Sequence, residues 1–144
     1  MTYADSSFLC SLYLTDANTA RAQAWLGLHP EALPLSPLHR LELATAFGRH
    51  VASKRLTTHE IAAAWRAVEQ DFAKALLFAP GLPLAPAFAE AERLAKQYGP
   101  ATGARSFDVL HVACAARLRS TAFLTFDARQ RVFAESVGLS CPAI

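Results

Sequence analysis

Residues 106–127, SFDVLHVACAARLRSTAFLTFD, predict a helix, then a buried strand, then the start of a second helix. Ser106 is suited to cap a helix that ends near Arg119. The apolar run Ala122–Phe126 is typical of a buried strand, and Asp127 then opens the next helix. Strands that alternate with helices are the pattern of a parallel sheet joined by crossover helices. The stretch therefore predicts an α/β protein.

The N-terminal half repeats this alternation. Short apolar runs at Thr2–Ala4 and Leu33–Leu35 predict two more strands. After the second run, Ser36 provides a helix N-cap and Pro37 suits the first helical position. We expect the helix that follows to extend to about Ser53.

The remaining segments are assigned from capping signals and from proline and glycine. Thr57 and Glu60 have the spacing of a capping box, which predicts a helix that ends at about Leu77. Four further elements are predicted: an edge strand at Leu82–Leu84, a helix at Phe88–Tyr98, a loop at Gly99–Gly103 and a strand at Leu139–Cys141. The helix opened by Asp127 is expected to end at Gly138.

Composition limits the class of protein. The chain has 144 residues, of which 53% are hydrophobic and 18% are charged. This length suits one domain, and this apolar content excludes a disordered or fibrous protein. The net charge is +2, from 14 basic and 12 acidic residues. Such a balance excludes a strongly basic arm, so any nucleic-acid site must be local.

Cysteine usage and hydropathy indicate the compartment. Cys10, Cys114 and Cys141 are far apart and form no C-x-x-C pair, which argues against a disulfide framework or a structural zinc site. The longest uncharged run, Ala75–Ala89, contains three prolines and is too short to span a membrane. We therefore expect a cytoplasmic protein with no membrane contact.

Acidic residues follow the predicted strands and begin the predicted helices. Asp5 and Asp127 come directly after strands, and Asp108 lies in the first turn of the helix capped by Ser106. Glu42 lies six residues after Ser36, about 9 Å along its helix. Parallel strands end at the same edge of a sheet, so these four acids are expected to converge there. Taken singly, Asp5 and Asp127 are also explained as helix caps, and Asp108 as an acid that favours the positive end of its helix.

A cluster of carboxylates predicts a cation site. Carboxylates a few ångströms apart repel one another, so such a cluster needs protons or a cation between its members. All-oxygen sites of this kind suit Mg²⁺ or Mn²⁺, ions that activate water for phosphodiester hydrolysis. Ser7 and Thr125 carry nearby hydroxyls that are suited to hold a water or a carboxylate, although ordinary turn and strand hydrogen bonding explains them equally well.

Arginine is the dominant basic residue, and its planar guanidinium matches phosphate. Four arginines that lie on or beside the same elements as the acids are candidates for phosphate contact: Arg49, Arg105, Arg129 and Arg131. For any one of them, a solvated helix face is the alternative interpretation.

Four short motifs resemble, in order and approximate spacing, the acidic motifs of the PIN domain. These motifs are Tyr3–Ser7, Glu42, Asp108–Ala113 and Thr125–Asp127. Among PIN proteins the chain is most similar to the VapC-type toxins, compact proteins encoded beside their antitoxins. The resemblance extends from the first strand to Gly138.

The resemblance implies a three-layer α/β/α sandwich around a central parallel sheet, with residues 1–144 as a single PIN-like domain. It implies an endoribonuclease that depends on Mg²⁺ or Mn²⁺, forms a homodimer and is inhibited by a bound antitoxin. The metal-binding acids would be Asp5, Glu42, Asp108 and Asp127. Thr125 matches the hydroxyl before the last acid, and Ser7 matches the small polar residue after the first. The proline-rich segment Leu77–Pro86 does not align with the family.

Two other functions are compatible with acids at a strand edge. One is a non-catalytic module that uses the same fold to bind RNA or protein. The presence of all four acids argues against this module. The other is a receiver-like phosphoacceptor domain, which would need a lysine after a late strand. All three lysines lie in helical patterns of the sequence: Lys54, Lys74 and Lys96. We therefore favour a metal-dependent ribonuclease.

Overall fold

The computed structural model describes all residues from 1 to 144 and confirms the α/β class, with seven helices and four short strands. In chain order the elements are β1 (Thr2–Ala4), α1 (Ser6–Tyr13), α2 (Thr19–Leu28), β2 (Leu33–Pro34), α3 (Pro37–Ala52), α4 (Thr58–Ala73), β3 (Leu77–Phe78), α5 (Leu84–Thr102), α6 (Ser106–Arg117), β4 (Ala122–Leu124) and α7 (Ala128–Ser136). They form two compact units: unit 1 is Met1–Asp5 with Pro80–Ile144, and unit 2 is Ser6–Ala79. The expectation that residues 1–144 form a single domain stays a prediction.

Unit 1 is built on the parallel pair β1 and β4, in which Thr2 lies opposite Ala122 and Ala4 opposite Leu124. Helix α6 packs against α5 and α7. Its residues Val109–Ala115 are all buried, because the sequence there is apolar on every side except for one histidine. The rings of Tyr3 and Phe123 stack in the core with their centroids 5.6 Å apart.

Unit 2 contains the second parallel pair, in which Leu33 of β2 lies opposite Leu77 of β3. Helix α1 contacts α2, α3 and α4. The Ser36 hydroxyl caps α3 as expected, and the Ser36 backbone N–H donates to Nδ1 of His39 at 3.0 Å. The capping box of Thr57 and Glu60 begins α4, again as expected.

The segment between α4 and α5 departs from the sequence prediction. Helix α4 ends at Ala73 rather than near Leu77, and the expected edge strand at Leu82–Leu84 is wrong. Ala75 adopts a left-handed conformation with φ of 57°, which ends the helical path and directs the chain into β3. The strand is therefore Leu77–Phe78, which pairs with β2.

Helix α5 is longer than the predicted Phe88–Tyr98 at both ends. The prediction of a loop at Gly99–Gly103 is wrong for its first four residues, which are helical. Pro86 lies in the first turn, where a helix does not use its backbone N–H groups. Pro100 lies in the last turn and removes only one internal hydrogen bond. The helix ends at Thr102, and Gly103 follows it with a left-handed φ of 63° that suits glycine. Neither α5 nor any other helix is long and apolar enough to cross a membrane.

Three ends in unit 1 also differ from the prediction. Ser106 is the first residue of α6 rather than its cap, because Arg105 occupies the N-cap position. Strand β4 stops at Leu124, two residues earlier than expected. The expected strand at Leu139–Cys141 is reduced to a single parallel bridge between Ser140 and Ala122.

Candidate active site

Asp5 and Thr125 follow the two paired strands of unit 1 and contact each other directly. Because Ala4 lies opposite Leu124, the next residue of each strand reaches the same edge. The Asp5 backbone N–H donates to the Leu124 carbonyl at 2.9 Å. The Thr125 hydroxyl donates to Oδ2 of Asp5 at 2.6 Å, and both residues are only 1% exposed. The parallel register therefore buries an aspartate and fixes its carboxylate with a hydroxyl.

Asp127 combines a position beside this pair with the role of a helix cap. Its Oδ1 atom accepts hydrogen bonds from the backbone N–H groups of Arg129 and Gln130, at 2.8 and 3.2 Å. Its own backbone N–H donates to the Thr125 hydroxyl oxygen at 2.9 Å. The Thr125 hydroxyl thus joins Asp5 to the start of α7.

Asp108 lies in the first turn of α6 and is half-buried. Its Oδ2 atom accepts a hydrogen bond from the Arg105 backbone N–H at 3.1 Å. The buried Gln130 side chain donates to the Asp108 carbonyl oxygen at 3.4 Å. Gln130 therefore connects Asp108 to Asp127, since its backbone N–H binds the Asp127 carboxylate.

His111 and the cysteine thiols of unit 1 belong to the packing of the unit. Nδ1 of the buried His111 lies 2.8 Å from the Tyr3 hydroxyl oxygen. Burial raises the pKa of the Cys114 thiol to about 11, and burial together with the charge of Glu135 raises the pKa of Cys141 to about 11. Both thiols are protonated at neutral pH and are therefore poor nucleophiles.

Glu42 and Ser7 lie in unit 2. Glu42 is half-buried on α3, and its Oε2 atom accepts a hydrogen bond from the Ser6 hydroxyl at 2.5 Å. Ser6 is the first residue of α1, and Ser7 is the half-buried second residue. The hydroxyl that holds Glu42 is thus supplied by Ser6, the residue that follows Asp5 in the chain.

The four arginines proposed from the sequence differ in what their side chains do. Arg49, Arg105 and Arg129 are exposed, and their guanidinium groups form no ion pair. The Arg131 guanidinium donates to the carbonyl oxygens of Cys141 and Pro142, at 2.6 and 3.2 Å. A phosphate contact by Arg131 would have to compete with these bonds to the C-terminal segment.

Unit 1 therefore links three of the four predicted acids through the side chains of Thr125 and Gln130. The donor chemistry of the aspartates suits a hard divalent cation. Oδ1 of Asp108 and Oδ2 of Asp127 accept no hydrogen bond and are available to a ligand. No three His, Cys, Asp or Glu side chains are gathered as a preformed set of ligands. The carboxylate oxygens therefore suit Mg²⁺ or Mn²⁺ as ligands. Hydrogen bonds to neighbouring groups fix the three aspartates, which do not contact one another as a ready ligand set.

Sequence reasoning did not assign functional roles to Ser6 and Gln130. The signal for Ser6 lay within the motif Tyr3–Ser7, in which two adjacent serines follow the aspartate and only the second was assigned. Gln130 occupies the capping-box position after Asp127, but its side chain extends to α6. That direction depends on helix packing, which residue spacing alone does not give.

The family model for the PIN domain matches residues 2–136. The chain belongs to the PIN-domain family. The match covers both paired strands of unit 1 and the positions of all four acids, so the PIN-like fold expected from the four motifs is confirmed. A search among curated proteins found no match.

Two solved structures share this PIN fold at low sequence identity. The Mycobacterium tuberculosis toxin VapC20, which cleaves the sarcin-ricin loop, has a TM-score of 0.64 and 14% identity, with 96% of each chain covered. FitAcB from Neisseria gonorrhoeae has a TM-score of 0.65 and 19% identity, with 99% of this chain and 97% of that chain covered. At such identities the likeness shows the fold alone.

Proposed function

We propose that this PIN-domain protein is a metal-dependent endoribonuclease and the toxin of a toxin–antitoxin pair. The observation that carries the proposal is the buried Asp5 carboxylate, fixed by Thr125 at the end of a PIN-family parallel pair. A buried carboxylate costs desolvation energy, so its retention at a strand end favours a functional role. The low-identity structural likeness to VapC20, a toxin, supports the biological role.

The acidic side chains would hold Mg²⁺ or Mn²⁺. Asp5, Asp108 and Asp127 supply the carboxylates of unit 1, and Glu42 completes the set by the order of the family motifs. The Thr125 hydroxyl orients Asp5, while the Ser6 hydroxyl orients Glu42. Ser7 remains the candidate for a supporting hydroxyl by its place in the N-terminal motif. The bound cation would supply activation of water and charge stabilisation at the phosphodiester.

Exposed arginines beside the acids would position the RNA backbone. The Arg105 backbone N–H donates to the Asp108 carboxylate, and the Arg129 backbone N–H donates to the Asp127 carboxylate. Arg105 is the N-cap of α6, whose first turn carries Asp108, and Arg129 lies in the first turn of α7, which Asp127 caps. Their charge suits the phosphates on either side of a scissile bond. The proposed substrate is therefore RNA held through its backbone.

The proposed protein partners are an antitoxin and a second copy of this chain, which together with the first would form a homodimer. A cavity of 540 Å³ between α5 and α6 is lined mostly by apolar side chains. On its lining, Phe88 and Phe107 are 55% and 43% exposed. Exposed apolar patches are typical of protein interfaces, and we propose that a second copy of the chain covers this one. A monomer at all concentrations in sedimentation equilibrium would contradict the dimer.

The experiment that tests the nuclease is cleavage of total RNA by purified protein, with Mg²⁺ or Mn²⁺ and with EDTA. The Asp5→Asn variant is assayed beside the wild type, and Asp16→Asn is the control for loss of a carboxylate outside the site. We expect cleavage by the wild type and Asp16→Asn with metal only, and none by Asp5→Asn.

Cleavage that continues in EDTA, or that Asp5→Asn retains, would contradict a metal-dependent site at Asp5. Absence of cleavage combined with RNA binding that is independent of metal and of Asp5 would instead favour a non-catalytic RNA-binding module. The antitoxin role is tested separately, by whether a small protein encoded beside this one co-purifies and suppresses cleavage.

A further inference from the structure

We propose that a cavity at the C-terminal end of α3, in unit 2, binds a phosphate group of the RNA backbone. The cavity has a volume of 340 Å³ and is lined by Ala46, Arg49, His50, Ser53 and Arg55. This size lies at the lower end of the range for ligand pockets. The inference rests on the proposed function in that it takes RNA as the ligand.

The turn after α3 places Arg55 at this cavity. Helix α3 ends at Ala52, and Lys54 adopts a left-handed conformation with φ of 56°. This reversal lets the Arg55 backbone N–H donate to the His50 carbonyl oxygen at 2.9 Å. Two arginines that are six positions apart in sequence therefore line the same cavity, and the backbone bond fixes one of them.

The cavity carries positive charge that no protein carboxylate neutralises. Neither Arg49 nor Arg55 forms an ion pair or a side-chain hydrogen bond, and no acidic residue lines the cavity. Residues 43–59 contain no aspartate or glutamate. The next acid, Glu60, uses its carboxylate in hydrogen bonds to Thr57 at 2.7 Å. The cavity is therefore suited to an external anion.

The types of side chain indicate phosphate as that anion. Guanidinium groups bind phosphate through two donors at once. The Ser53 hydroxyl already donates to the His50 carbonyl oxygen at 3.3 Å, so the two arginines supply the donors. Cations in the last turn of a helix are also favourable to the helix dipole, which explains Arg49 and His50. It does not explain Arg55, which lies beyond the helix and reaches the cavity through the turn.

The cavity lies on the same helix as Glu42, the proposed metal ligand of unit 2. Arg49 follows Glu42 by seven residues, which is two helical turns on nearly the same face and roughly 10 Å along the axis. A strand of RNA that extends along this face would meet Glu42 and the cavity in succession. The cavity would thus hold the backbone apart from Glu42, where it adds affinity without sequence preference.

The test is binding of a fluorescein-labelled, single-stranded RNA of mixed sequence, measured by anisotropy at several salt concentrations in EDTA. EDTA removes the divalent ion, so the result does not depend on cleavage. The variants are Arg55→Ala, the double variant Arg49→Ala with Arg55→Ala, and Arg66→Ala as control. Arg66 is also an exposed, unpaired arginine of unit 2 but does not line the cavity.

We expect Arg55→Ala to weaken binding and to reduce the slope of log affinity against log salt by about 0.7, the value for one phosphate contact on a single strand. The double variant should lose about twice that slope, and Arg66→Ala should match the wild type. Circular dichroism verifies the fold of each variant. An Arg55→Ala protein that binds RNA like Arg66→Ala would overturn the inference.

A second arm distinguishes RNA backbone from free phosphate. Binding of inorganic phosphate alone is measured by calorimetry for the wild type and Arg55→Ala. Phosphate binding that Arg55→Ala loses, together with RNA binding that Arg55→Ala keeps, would assign the cavity to free phosphate and overturn the RNA ligand. The result is also separable from the nuclease proposal. If the wild type cleaves RNA and Arg55→Ala binds RNA normally, only the proposed cavity site is overturned. If Arg55→Ala weakens RNA binding and the wild type does not cleave RNA, only the nuclease proposal is overturned.

Discussion

At the scale of single residues, the Thr125 hydroxyl is the contact on which the candidate site depends. It donates to the buried Asp5 carboxylate and accepts from the Asp127 backbone N–H. One side chain therefore joins two acids that are far apart in sequence. Its place directly after β4 is a consequence of the parallel register, since Thr125 faces the residue that follows β1.

Thr125→Val keeps the shape of the side chain and removes the hydroxyl. We expect it to lower the free energy of unfolding by about 1–3 kcal/mol, because a buried carboxylate loses a donor. Urea denaturation measures the change. The matched control is Thr121→Val, an exposed threonine just before β4, for which we expect a change within about 0.5 kcal/mol. Equal stabilities of the two variants would contradict the role assigned to Thr125.

At the scale of secondary-structure elements, the N-terminus of α7 combines a structural role with a proposed chemical one. Oδ1 of Asp127 caps the helix, whereas Oδ2 accepts no hydrogen bond. Asparagine caps a helix about as well as aspartate but carries no charge, so substitution separates the two roles.

Asp127→Asn should keep the stability of the wild type and lose RNA cleavage, because the amide oxygen can still cap the helix while the negative charge and the second oxygen are lost. Asp127→Ala should lose cleavage and also about 1 kcal/mol of unfolding free energy, because the cap is lost as well. Thermal unfolding and the total-RNA assay measure both quantities. If Asp127→Asn cleaves RNA like the wild type, Asp127 is a helix cap and nothing more.

Local signals in the sequence predicted the elements that they control. Ser36 with Pro37, and Thr57 with Glu60, predict the starts of α3 and α4 because capping uses atoms within four residues. The same logic predicts the cap at Asp127. The strand β3 was missed because pairing with β2 and the left-handed Ala75 decide it. Both are features of the folded backbone.

At the scale of the whole molecule, the order of the four acidic motifs predicted more than any single motif did. Each aspartate alone has an ordinary role as a cap or strand end, and the structure shows such bonds for Asp108 and Asp127. The ordered set led to the PIN family, which the match over residues 2–136 confirms. The Ser6 bond to Glu42 and the Gln130 bond to Asp108 could not be predicted, because they join elements through side-chain packing.

The central claim is that the acidic side chains of this PIN protein bind a divalent cation. The most direct test is Mn²⁺ binding, measured by electron paramagnetic resonance, for the wild type, Asp127→Asn and the control Glu92→Gln. Glu92 is an exposed carboxylate on α5 that pairs with Lys96. We expect Asp127→Asn to weaken Mn²⁺ binding at least about tenfold and Glu92→Gln to leave it unchanged. A wild type that binds no Mn²⁺, or an Asp127→Asn protein that binds it equally well, would contradict the claim.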